Sequence, residues 1–159
     1  MRQMMNYHTI IRETPAISVA ALAHRGDYNQ IRTTFEQLAA IAVRINLFGP
    51  STRSFGIYYD DPSTTARDTL RSDACLSVPE SWSQGSGLDL RQIRAGRYAV
   101  TLHVGPYAEL PHAYRWLYGT WLAQTGQELA DAPIVEEYLN DARTVPPNEL
   151  MTEIWLPLR

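Results

Sequence analysis

The chain has 159 residues, 45% hydrophobic and 19% charged, with a formal charge of −3. That suits one globular domain, or two small halves sharing a core, and it excludes a disordered chain and the basic footprint of a nucleic-acid binder. All 14 basic residues are Arg, the single Cys75 has no partner for an internal disulfide, and no stretch nears the ~20 apolar residues of a membrane span. Arg2 is followed by no apolar core or cleavage site, so no signal peptide is expected and the predicted location is the cytoplasm.

Taken in order, Tyr7–Arg12 reads as a strand closed by Pro15, and Ile17–Ala23 as a buried strand. His24-Arg25-Gly26-Asp27 turns the chain, with Asp27 suited to cap a helix and Gln30 placed as its capping-box partner. Ile31, Phe35, Leu38, Ala42 and Ile45 recur at helical spacing, which predicts a helix over roughly 28–46, broken by Gly49-Pro50. Strands follow at Phe55–Tyr59 and Asp73–Val78, separated by the turn Asp60-Asp61-Pro62-Ser63. Glu80 to Leu90 reads as a linker carrying an exposed Trp82.

The pattern then restarts. Gly96–Val104 is a predicted strand, and Leu110, Tyr114, Leu117 and Trp121 share one helical face, with Pro111 in the first turn and Gly126 at the end. Trp116 falls off that face. A strand around Glu136 and a last strand, Thr152–Leu156, complete the chain. His24-Arg25-Gly26-Asp27-Tyr28 matches His103-Val104-Gly105-Pro106-Tyr107 residue on residue. Phe35 falls opposite Tyr114 and Leu38 opposite Leu117; with one residue of slippage Tyr58 falls opposite Tyr138, Asp73 opposite Glu153, and Gly56 opposite Glu136. The chain is therefore expected to be an α+β domain over 1–159, built from a duplicated strand–helix–strand–strand unit (repeat 1 about 6–80, linker 80–92, repeat 2 about 93–159). Joined about a pseudo-two-fold axis, the halves give one antiparallel sheet with two main helices on one side, and the gap between the helices is the expected pocket.

Pro133-Ile134-Val135-Glu136-Glu137-Tyr138-Leu139-Asn140-Asp141 carries the functional signal. Alternation puts neighbouring side chains on opposite faces, so Ile134, Glu136 and Tyr138 share one face. Val135, Glu137 and Leu139 are expected on a solvent side; the plainer alternative is that both glutamates are solvated at a sheet edge. A carboxylate beside an aromatic on a covered face is costly unless something cationic or hydrogen-bonding meets it. The first repeat has only a glycine at that place, and a residue the fold itself required would recur in both copies.

Gly56-Ile57-Tyr58-Tyr59-Asp60-Asp61-Pro62, His103-Val104-Gly105-Pro106-Tyr107 with Leu110, Tyr114 and Trp121, Glu136 to Asn140, and Glu149 to Leu158 together resemble the GyrI-like small-molecule-binding domain. That family includes the gyrase inhibitory protein and the effector-binding domains of multidrug-sensing and AraC-type transcription regulators. The resemblance implies an aromatic-lined pocket between the helices, a glutamate matching Glu136 that meets cationic ligands, and DNA gyrase as a candidate partner. About 15 residues precede the first core strand, so no helix-turn-helix unit and no direct DNA binding are expected. Val135 stands where relatives often have an aromatic. Cation–π attraction of about 0.5–2 kcal/mol per ring would add to the pull of the carboxylate.

Tyr58, Tyr98, Tyr107, Tyr114, Trp121 and Trp155 are the candidate ligand-lining residues beside Glu136, against plain core packing for each. No cofactor is expected. His24 and His103 have no ligand-spaced neighbours and are assigned to turn hydrogen bonds rather than a metal. Gly85-Ser86-Gly87 lacks the strand-to-helix setting of a nucleophile or a phosphate loop. Cys75 reads as a packed hydrophobe. The rival to a binding module is a hydrolase of strained cyclopropane compounds, as reported for some members of the family, with Glu136 as general base; a tyrosine hydroxyl beside Glu136, from Tyr98 or Tyr107, would favour it.

Overall fold

A computed structural model describes residues 7–159. The strands are β1 (Thr9–Thr14), β2 (Ile17–Arg25), β3 (Ser54–Tyr58), β4 (Arg71–Ser77), β5 (Asp89–Ile93), β6 (Gly96–Val104), β7 (Ile134–Tyr138) and β8 (Met151–Pro157). Helix α1 spans Ile31–Arg44. Helix α2 (Leu110–Trp116) runs through a π-helical stretch, Leu117–Trp121, into α3 (Leu122–Thr125). Gly126 ends α3 in the left-handed region at φ 67°, its N–H donating to the Leu122 carbonyl.

The eight strands form one antiparallel sheet in the order β1-β6-β8-β7-β3-β4-β2-β5. Read outward from β7 and β3, the order is the same on both sides, which is the pseudo-two-fold expected from the repeat. One correction concerns the linker: residues 89–93 form β5, the counterpart of β1. Each leading strand pairs with the other half, β1 on β6 and β5 on β2. The serine- and glycine-rich stretch before β5 masks its short alternating run.

The repeat extends to the turns. Gly26 and Gly105 sit at φ 117° and 140°, and their N–H groups reach the Leu70 and Leu150 carbonyls at 2.8 Å each. A β-carbon is strained at such φ, so both copies carry glycine after the strand. Asp60 accepts from the Arg71 N–H at 2.8 Å, and Asn140 from the Met151 N–H at 2.9 Å. Asp27 caps the short 3₁₀ turn Tyr28–Gln30 through the Asn29 N–H, and Gln30 makes no capping bond.

Both faces of the sheet are covered. Under α1, Leu38 and Ala42 pack on Ala20, Ala74 and Leu76, with Trp82 partly buried against the same cluster rather than free in solvent. Under α2 and its continuation, Leu117 and Trp121 pack on Ala99, Ile154 and Leu156. The opposite face curls over its own core of Phe55, Ile57, Cys75, Tyr98, Val135 and Trp155. Trp116 is tied down, its indole N–H donating to the Thr9 hydroxyl at 2.9 Å. Among the described residues no helix is long and apolar enough to cross a membrane.

Candidate functional site

β3 and β7 meet at the centre of the sheet, and their register sets Gly56 directly across from Glu136. The two positions equivalent by repeat are thus neighbours in space, at the axis itself. Glu136 is 6% exposed on the helix-bearing face. One carboxylate oxygen accepts from the Tyr138 hydroxyl at 2.9 Å, the other from the Tyr114 hydroxyl of α2. The Tyr138 oxygen lies 2.5 Å from that of Tyr58, its counterpart in the other half. Since the Tyr138 proton goes to Glu136, Tyr58 donates to Tyr138.

Further rings close the site. Tyr28 stands edge-on to Tyr58 with centroids 4.9 Å apart; Phe35 of α1 and Tyr107 stand edge-on to Tyr138 at 5.4 and 5.9 Å. By the repeat, Tyr28 corresponds to Tyr107, Phe35 to Tyr114 and Tyr58 to Tyr138. Such edge-to-face contacts contribute roughly 0.5–1.5 kcal/mol each beyond burial.

Among the described residues, the ion pairs do not include Glu136. Burial raises its carboxyl pKa above the ordinary value, and the tyrosine hydrogen bonds act against that rise. The phenols of Tyr58, Tyr114 and Tyr138 are pushed well above their usual range, first by burial and then by the charge of Glu136.

Glu137 corrects the expectation of a solvent face. It is 7% exposed, on the opposite side of the sheet, where Arg53 grips it with two bonds of 2.8 and 2.9 Å. Val135 is buried on that same side. The curl of the sheet, which alternation in one strand does not reveal, covers both faces.

Of the predicted lining residues, Tyr58, Tyr107 and Tyr114 join Glu136. Tyr98 and Trp155 do not: both lie fully buried on the opposite face, 5.6 Å apart by ring centroid. Their strand parity differs from that of Glu136. Trp121 is core beneath the helix. Tyr28, Phe35 and Tyr138 belong to the site without having been predicted for it, although alternation points to Tyr138 and the repeat points to Tyr28 and Phe35. His24 bonds Thr34 and the Asp27 carbonyl, and His103 bonds Tyr7 and the Pro106 carbonyl, which accounts for both rings. No metal-holding cluster occurs among the described residues.

Two cavities lie elsewhere: one of about 80 Å³ behind the sheet by Ile57, Ile93, Tyr98 and Val135, and an open groove of about 590 Å³ by Arg25, Arg71 and Arg91. Neither is lined by Glu136, whose surroundings are filled by tyrosines.

The fold is a duplicated α+β domain with a buried acid, hydrogen-bonded to tyrosines, at its axis. The family model described as "GyrI-like small molecule binding domain" matches residues 8–159, and the chain belongs to that family. It is 31% identical over 150 residues to the probable transcriptional regulator YgiV of Escherichia coli K12, covering 93% of this chain and 94% of that one. It is 30% identical over 131 residues to DNA gyrase inhibitor 2 of Dickeya dadantii, covering 80% of each. The EcmrR C-terminal domain has the same fold (TM-score 0.78, 21% identity, 98% and 99% of the two chains). So do a hydrolase from Listeria innocua (0.69, 18%, 95% and 91%) and SAV2435 bound to tetraphenylphosphonium (0.65, 14%, 98% and 94%).

Proposed function

We propose that this protein binds an apolar or amphipathic organic cation between α1 and α2, with Glu136 as counter-charge and the tyrosines and Phe35 as walls. The observation that carries the reading is a buried carboxylate whose partners are neutral hydroxyls inside an aromatic enclosure. A buried charge is ordinarily paired with an opposite one. Here the opposite charge is left for the ligand. Capture of such compounds, several of one chemical type, suits sequestration in the cytoplasm. The test is titration with a cationic aromatic dye and a neutral dye of the same shape, against wild type and Glu136→Gln. Selective loss of the cationic dye supports the reading, and equal binding of both dyes by both proteins refutes it.

A second reading has one observation in its favour. Tyrosine hydroxyls sit on both oxygens of a carboxyl whose pKa is raised, a pairing that suits proton transfer. In that reading Glu136 acts as general base in hydrolysis of a strained cyclopropane compound. Conversion of such a compound by wild type, abolished in Glu136→Gln, would replace the first reading. DNA gyrase enters as a partner through the names of relatives, and a supercoiling assay with purified protein decides it.

A further inference from the structure

The open groove of about 590 Å³ lies on the face of the sheet away from the helices, lined by Ala23, Arg25, Tyr59, Arg71, Asp73 and Arg91. That is room for a drug-sized ligand. Along β2 and β4 the cross-strand pairs run Ala21 with Cys75, Ala23 with Asp73 and Arg25 with Arg71. The first pair belongs to the core of the curled face, so the next two stand on the same side beyond it. Two arginines thus face each other on neighbouring strands, a placement that is destabilising by itself. Arg71 commits Nε and Nη2 to Asp60, at 3.1 and 2.8 Å. Arg25 makes no ion pair among the described residues.

The fold does not require this charge. In the second half the pair at the same place is Val104 with Met151, and Leu139 stands where the first half has Tyr59. Asp73 sets a limit at the other end of the groove. It is 4% exposed, accepts from the Tyr59 hydroxyl at 2.5 Å, and has Arg91 Nε at 3.8 Å. Arg91 also reaches Asp89 at 3.3 Å. Arg71 and Arg91 therefore already have acids beside them, and Arg25 is the guanidinium left to neutralise.

We propose that this groove binds an organic acid through a single carboxylate held between Arg25 and Arg71, with the apolar body of the ligand over Ala23 and Tyr59. The site is separate from Glu136 and does not depend on the cation-binding reading. Arg25 offers the carboxylate the two-pronged edge of a charge-assisted pair, and an anion between the two arginines replaces their repulsion with attraction to both. One free guanidinium matches one negative charge. A second charge would stand two residues along the strand from Asp73, roughly 7 Å away, with no unmatched cation to meet it. The groove thus disfavours phosphate monoesters and other polyanions.

The probes are 2-naphthoate, its neutral analogue 2-naphthamide, and 2-naphthyl phosphate, read by fluorescence and calorimetry. Wild type is expected to bind naphthoate at least tenfold more tightly than naphthamide, and more tightly than naphthyl phosphate. Arg25→Val gives the first copy the side chain that the second carries at Val104, so it should fold, which circular dichroism checks. It is expected to weaken naphthoate about tenfold, as loss of a hydrogen bond to a charged group does, and to leave naphthamide within twofold. Arg25→Gln, which keeps a polar side chain at the site, carries the same expectation and is the second variant. Equal binding of naphthoate and naphthamide by wild type, or binding of neither, overturns the carboxylate site. So does unchanged naphthoate affinity in either folded variant. Tighter binding of naphthyl phosphate than of naphthoate overturns the limit to one charge.

Discussion

Replacing Glu136 by Gln changes little but charge. The amide has nearly the shape of the carboxylate and can still accept one of the two tyrosine hydrogen bonds, while its NH₂ faces a hydroxyl oxygen that can accept in turn. A monocation held about 5 Å from the carboxylate, at an effective dielectric near 20, is attracted by about 3 kcal/mol, or roughly 150-fold in affinity. Part of that is lost because burial already favours the protonated acid, so a loss of tenfold or more is the expected outcome. Fluorescence titration with a cationic aromatic dye measures it, with thermal unfolding run beside it. The Gln protein should unfold no earlier than wild type at neutral pH, since it no longer holds a desolvated charge. An affinity within twofold of wild type, in a protein that remains folded, would refute the counter-charge role.

The pH dependence follows from the same carboxyl. Its pKa is raised in the folded protein by burial, against the opposing tyrosine bonds, so the ligand-free protein loses stability as pH climbs from the unfolded carboxyl value through the folded one. A cation favours the ionised form, so affinity should rise across that window and then level off; calorimetry in two buffers of different ionisation enthalpy should show proton release within it, and affinity that falls with pH contradicts this. On the other face, Arg53→Met leaves Glu137 buried without its partner, whereas Glu137→Gln leaves a half-exposed Arg53 that water can reach. Urea unfolding should therefore cost more for Arg53→Met, by about 1–3 kcal/mol, than for Glu137→Gln, and equal costs would count against an uncompensated acid there.

Much of this is legible in the residues. The match of His24-Arg25-Gly26 with His103-Val104-Gly105 reveals the duplication, because the same left-handed turn needs glycine in both copies. The apolar spacing of Ile31 to Ile45 and of Leu110 to Trp121 reveals the helices. Glu136 stands out because its counterpart is Gly56. What stays hidden depends on tertiary curvature. Tyr98 and Trp155 are aromatic and lie on β6 and β8, between the edge and the centre of the sheet, yet the face they occupy turns inward on itself. Glu137 looks solvated because its cation, Arg53, is 84 residues away in sequence. Strand β5 escapes notice because a charged edge strand without long apolar alternation reads as linker until β2 is seen beside it.

The axis explains why one copy must carry the acid alone. Away from an axis, equivalent residues are far apart and can be identical. At β3 and β7 they face each other, Gly56 against Glu136. Two glutamates there would force two buried carboxylates together, raising the cost of ionising both, and would leave no room for Tyr58 and Tyr138 to meet. If geometry alone sets the site, the acid should work from either copy. The double variant Gly56→Glu with Glu136→Gly moves it across the axis, where Phe35 replaces Tyr114 as the helix neighbour. It should fold, keep at least tenfold tighter dye binding than Glu136→Gly alone, and fall about tenfold below wild type for want of the Tyr114 hydroxyl. Circular dichroism checks the fold and the same dye titration the affinity. A folded double variant that binds no better than Glu136→Gly would show that the two halves are not interchangeable and that the acid depends on α2 rather than on the axis.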